Sequence, residues 1–137
     1  MRRILAVLAF LSFLFSVAAY AGEETAAQAS IDAQLKAFLA GDNAGAYSYA
    51  APSVKKIFPT LDVFMSMVTN GYRPVQQPKS YSFGKFEWMG DGKIAQQVLL
   101  VGPDGKDYEA LYTLEKQPDG SWLITGVSLR AANTLST

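Results

Sequence analysis

Apolar residues recur at three- and four-residue steps along residues 22–70 and at two-residue steps along residues 79–129. The first period is that of a helix with one buried stripe, the second that of a half-buried strand. Thr25, with Gln28 three residues on, predicts a capping box ahead of a first helix carrying Ala27, Ile31, Leu35, Phe38 and Leu39. Gly41 suits the left-handed position just past its end. Asp42 is placed to cap a short second helix through Ala44, Ala46, Tyr47 and Ala50, stopped by Pro52. Ser53 opens one further turn with Val54, Ile57 and Phe58, broken by Pro59. Thr60 caps a third helix with Leu61, Phe64, Met65 and Val68, which Asn70-Gly71 ends. Tyr72–Pro78 contains two prolines and predicts a linker with at most a short edge strand.

Residues 79–129 predict four strands in an antiparallel meander. The separators are Asp91-Gly92, Gly102-Pro103-Asp104-Gly105 and Pro118-Asp119-Gly120. A two-residue turn at Asp91-Gly92 pairs Gly90 with Lys93. A four-residue loop then pairs Val101 with Lys106, and a similar loop pairs Lys116 with Ser121. That register puts Phe86, Trp88, Ala95, Gln97, Leu99, Tyr108, Ala110, Tyr112, Leu114, Leu123, Thr125, Val127 and Leu129 on one face. The helices are expected to cover it. The opposite face receives Phe83, Met89, Ile94, Val98, Leu100, Leu111, Trp122 and Ile124 among Lys85, Glu87, Gln96, Glu109, Thr113, Glu115, and is too apolar to meet water alone. Ile94, Val98, Leu100, Leu111, Trp122 and Ile124 are therefore candidates for an interface with a second copy or a protein partner. Half of a standard interface, ~800 Å² per partner, would cover them.

Residues 1–21 have a different pattern. Met1-Arg2-Arg3 is basic, Ile4–Val17 is apolar apart from Ser12 and Ser16, and Ala19-Tyr20-Ala21 supplies an A-x-A site. This is the layout of a secretory signal cut after Ala21. The apolar run is 14 residues, short of the ~20 that a spanning helix needs. No cysteine follows it to take a lipid. The expectation is a signal peptide over residues 1–21, one domain over residues 22–137, export to a periplasm or the medium, and no stable membrane anchor after cleavage.

Composition narrows the chemistry. The chain has 137 residues, no His and no Cys, and 12 basic against 12 acidic residues. Thiol nucleophiles, disulfides, the usual zinc and haem ligands and a Ser-His-Asp triad are all unavailable. The charge balance argues against a nucleic-acid partner. No cofactor or metal is expected. Lys55-Lys56 reads as a solvated helical turn. Gly102–Lys106 joins two strands and opens no helix, so it is a hairpin loop and no phosphate cradle. Asp104 and Asp107 flank a turn, as Asp commonly does.

Phe38-Leu39-Ala40-Gly41-Asp42 with Ala46-Tyr47, and the closing Asp119-Gly120-Ser121-Trp122-Leu123-Ile124-Thr125-Gly126-Val127, resemble the opening and closing segments of nuclear transport factor two-like proteins. That superfold is a cone-shaped α+β roll that includes steroid isomerases, polyketide cyclases and many binding modules. The resemblance implies three N-terminal helices packed on a curved four-stranded antiparallel sheet. Ala50-Ala51-Pro52-Ser53, Ile57-Phe58-Pro59-Thr60, and Met67-Val68 through Tyr72-Arg73-Pro74-Val75 more closely resemble a family of short exported bacterial domains of unknown function. Trp88, Gln97, Tyr108, Tyr112 and Thr125 are the candidate ligand-pocket residues inside the cone. The steroid isomerases set a carboxylate base against a tyrosine-containing oxyanion hole. Here the expected concave face has phenols but no Asp, Glu or His, and Asp42 and Asp62 suit a helix cap and a helix first turn. No catalytic residue is expected. The favoured function is a non-enzymatic domain binding a small apolar ligand or a protein; the alternative is an isomerase or lyase of the steroid isomerase type.

Overall fold

A computed structural model describes the backbone of residues 2–132 and the side chains of residues 21–132. Met1, residues 133–137 and the side chains of residues 2–20, nearly all of the expected signal segment, lie outside the described residues. The fold is α+β: five helices, α1 (Arg2–Leu39), α2 (Asn43–Ser48), α3 (Pro52–Ile57), α4 (Leu61–Gly71) and α5 (Arg73–Gln76), precede four strands, β1 (Ser80–Gly90), β2 (Lys93–Val101), β3 (Asp107–Lys116) and β4 (Trp122–Ala131). The sheet is an antiparallel meander in the order β1-β2-β3-β4, curved beneath the helices.

Most of the helix punctuation falls where the sequence predicts it. Gly41 has φ +72°, and the amides of Gly41 and Asp42 reach back to the carbonyls of Phe38 and Ala37. This pair of bonds is the Schellman closure of a helix. The Asp42 carboxylate accepts from Gly45 N at 3.0 Å, and the Thr60 hydroxyl accepts from Val63 N at 3.2 Å. Thr25 is the exception. It lies inside α1 and caps nothing; its hydroxyl donates to Ala21 O at 3.0 Å, four residues back, as hydroxyls do within a continuous helix. The stripe of α1 buries Ala27, Ile31, Leu35 and Phe38, whereas Leu39, expected with them, is exposed. Ser53 begins no turn of its own because Pro52 is already the first residue of α3. The expected linker contains the single turn α5.

The sheet corrects the expected faces. Asp91 and Gly92 both have positive φ, 53° and 67°, and Gly90 pairs with Lys93, the two-residue turn the sequence predicts. The other two loops are one residue shorter than expected. Gly105 N donates to Gly102 O and Gly102 N to Lys106 O; Gly120 N donates to Gln117 O and Gln117 N to Ser121 O. Each Pro-Asp-Gly is thus a three-residue loop that closes on a left-handed glycine, Gly105 at φ +78° and Gly120 at φ +88°. Val101 therefore pairs with Asp107, and Lys116 with Trp122.

A one-residue slip sends every side chain of a strand to the other face. Ile94, Val98, Leu100, Trp122 and Ile124 are buried in the core with Tyr112 and Leu114, so five of the six interface candidates do not lie on the outer face. Leu111 alone stays out, 47% exposed. Gln97 and Leu99 move from the expected inner face to the open one, while β3 keeps its predicted orientation. A bulge between Thr113 and Leu114 inserts Thr125 opposite them. It returns Val127 and Leu129 to the helix side, where they pack against the core.

A second bulge in β1, between Phe83 and Phe86, is held by side chains of β2. Gln96, fully buried, donates to the carbonyls of Gly84, Lys85 and Gln97 at 3.3, 3.2 and 2.9 Å. Its oxygen accepts from the Gln28 amide of α1 at 3.0 Å. Gln97 accepts from Lys85 N at 3.0 Å. The bulge frees backbone groups from the ladder and two adjacent glutamines satisfy them.

Candidate ligand cleft

An apolar cleft of about 230 Å³ lies where α3 and α4 meet β4. Two prolines isolate α3: Pro52 is its first helical residue and Pro59 follows its end. Its Val54 and Ile57, with Phe58, form one wall. None of its residues is buried, and Ile57 is 70% exposed. Phe64, Met67 and Val68 of α4 form the opposite wall, continued by Tyr72 and Val75. Gln34 and Phe38 of α1 close the inner end, and Ile124–Val127 of β4 form the floor. Phe38 and Phe64 stack at 6.3 Å, and Tyr47 supports Phe64 at 4.8 Å.

Backbone bonds seal the edge of β4 beside this floor. Ala51 N donates to Ile124 O, and Ile124 N to Tyr49 O, each at 2.8 Å. The Tyr72 hydroxyl donates to Val127 O at 3.1 Å. The other polar side chains each donate one bond within the protein. Gln34 donates to Ala46 O at 3.2 Å, Thr125 donates to the Thr113 hydroxyl at 2.9 Å, and Tyr47 behind the wall donates to Phe58 O. Among the described residues, no Asp, Glu, Lys or Arg lines the cleft.

Of the five pocket candidates, only Thr125 lines this cleft. Tyr112 is wholly buried in the core with no hydrogen-bond partner for its hydroxyl. Gln97 faces outward and holds the β1 bulge. Tyr108 sits near the end of the sheet and donates to Asp104 at 2.6 Å. Trp88 is 40% exposed and meets Trp122 edge to face at 6.2 Å. The cleft-forming side chains of α3, α4 and Tyr72 were not among the candidates. Their signal was present: Val54, Ile57 and Phe58 form an apolar stripe on a turn too short to bury it.

Carboxylates and phenols do meet, but neither pair lines the cleft. Asp104 and Tyr108 pair on the surface loop. Asp32 of α1 accepts from Tyr81 at 2.6 Å and pairs with Lys36 at 2.8 Å. The Lys36 and Tyr81 bonds hold the Asp32 carboxyl below its ordinary range, while desolvation and the carboxylate push the Tyr81 phenol up to about 12. Both groups thus move away from neutrality, the reverse of what proton transfer near pH 7 asks. A further carboxylate, Glu23, accepts from the buried Trp122 indole at 2.9 Å and from Lys116 at 2.8 Å. It ties α1 to β3 and β4. Among the described residues, no group of three or more Asp and Glu could hold a metal ion.

A family model described as a domain of unknown function, DUF4864, matches residues 21–137. No curated protein and no solved structure matches the chain.

Proposed function

The chain belongs to the DUF4864 family of domains of unknown function, and we propose that this member is an exported, non-catalytic domain that binds a small apolar ligand in the cleft between α3, α4 and β4. The observation that carries the reading is a concavity whose walls are aliphatic and aromatic and whose polar side chains are bonded within the protein. Such a lining favours burial of hydrocarbon and presents no carboxylate or amine to move a proton. Export is supported by the basic start, the apolar run and the A-x-A site. Helices over a curved antiparallel meander support kinship with the nuclear transport factor two-like roll. The steroid isomerase alternative is less well supported, because the phenol that is buried, Tyr112, has no carboxylate partner.

The test uses the protein purified from its exported fraction. Intact mass should begin at Gly22, and Met1 retained in a membrane fraction would refute export. A hydrophobic probe such as N-phenyl-1-naphthylamine should bind at one site per chain. Met67→Trp, which fills the cleft from its wall, should abolish binding while the domain stays folded. Absent or unaltered probe binding would refute the ligand site.

A further inference from the structure

We infer that the cleft takes the unsubstituted end of an unbranched hydrocarbon chain of about nine carbons, with the ligand's polar head left in water beyond Ile57. This rests on the ligand-binding reading above and goes further in naming the ligand's chemistry. The first argument is hydrogen bonding. Gln34, Tyr72 and Thr125, the polar side chains that reach the cleft, each donate to a partner inside the protein, and no charged residue among those described lines it. A hydroxyl carried to the inner end would give up water for a lining that is largely hydrocarbon. Unpaired burial of that kind weakens binding roughly 5- to 100-fold per group.

The second argument is size and shape. At about 230 Å³ the cleft has half again the volume of a ~150 Å³ core cavity that holds the six carbons of benzene, which scales to about nine carbons. Its floor runs along the consecutive residues 124–127 of the edge strand β4, so the space follows the strand direction. The third argument is orientation. The inner end is closed by Gln34 and Phe38 of the long helix, whereas Ile57 stands 70% exposed on the outer wall. A chain entering past Ile57 covers that side chain and keeps its head in solvent.

The experiment is displacement of N-phenyl-1-naphthylamine from the exported protein by n-nonanol, nonanoate, 1,9-nonanediol and 1-naphthol. The expected order puts n-nonanol and nonanoate within threefold of each other, and both at least tenfold tighter than the diol and tighter than 1-naphthol. Ile57→Gln, at an exposed position that should not disturb folding, should weaken n-nonanol severalfold. Diol binding equal to n-nonanol, or tighter binding of 1-naphthol, would overturn this inference while leaving an apolar ligand site in place. Failure of every compound and of the probe to bind would overturn both.

Discussion

Gln96 and Tyr112 are register partners on adjacent strands, both wholly buried, yet the structure assigns them opposite contributions to stability. The Gln96 amide donates to three backbone carbonyls, two of them in the β1 bulge, and accepts from Gln28. With two N–H groups and one accepting oxygen, that amounts to about three net bonds at ~1 kcal/mol each. Gln96→Leu loses them, and the added apolar burial returns about 1 kcal/mol. The expected loss is therefore about 2 kcal/mol, or a melting temperature lower by roughly 8 °C for a domain of this size. The Tyr112 hydroxyl has no partner, and burial pushes its phenol upward. Tyr112→Phe removes a desolvated group and leaves the ring in place, so stability should hold or rise by up to about 2 kcal/mol. Urea and thermal unfolding of both variants measure the contrast. A Tyr112→Phe variant less stable by more than about 1 kcal/mol would refute the reasoning, because the hydroxyl would then have a partner. A neutral Gln96→Leu would show that the amide does not hold the bulge.

The corrected faces predict that Leu111→Lys stays folded with stability within about 0.5 kcal/mol, whereas Ile94→Lys buries an unpaired ammonium and unfolds the domain; circular dichroism and sedimentation separate the two, and a folded Ile94→Lys would restore the other register. Alkaline difference spectroscopy should find one phenol, absent in Tyr81→Phe, titrating near pH 12. Because its folded value is raised, the associated stability is fully present below about pH 10 and is lost as pH climbs through about 12. Tyr81 titrating with the exposed tyrosines would refute the Asp32 bond.

The sequence by itself determined that α1 to α4 precede four strands, the helix stops at Gly41 and Gly71, the caps at Asp42 and Thr60, and the antiparallel meander. These are local matters: a cap or turn residue acts within about four positions, and a period of two or of three to four is visible in any short window. Register is different, because one residue of loop length inverts a whole strand. Both Pro-Asp-Gly loops could be counted as three residues or four, and the three-residue form with a left-handed glycine moved Ile94, Val98, Leu100, Trp122 and Ile124 into the core. Bulges then altered the count again, at Thr125 and in β1, where Gly84 is the one local sign of a kink and the partner that satisfies its carbonyls, Gln96, comes from the next strand. The cleft was also decided by tertiary structure alone. It is assembled from α1, α3, α4, Tyr72 and the edge of β4, which meet only after the chain has folded back over the sheet. Its defining property, polar side chains already bonded to partners elsewhere in the fold, belongs to those pairings and to no single stretch of sequence.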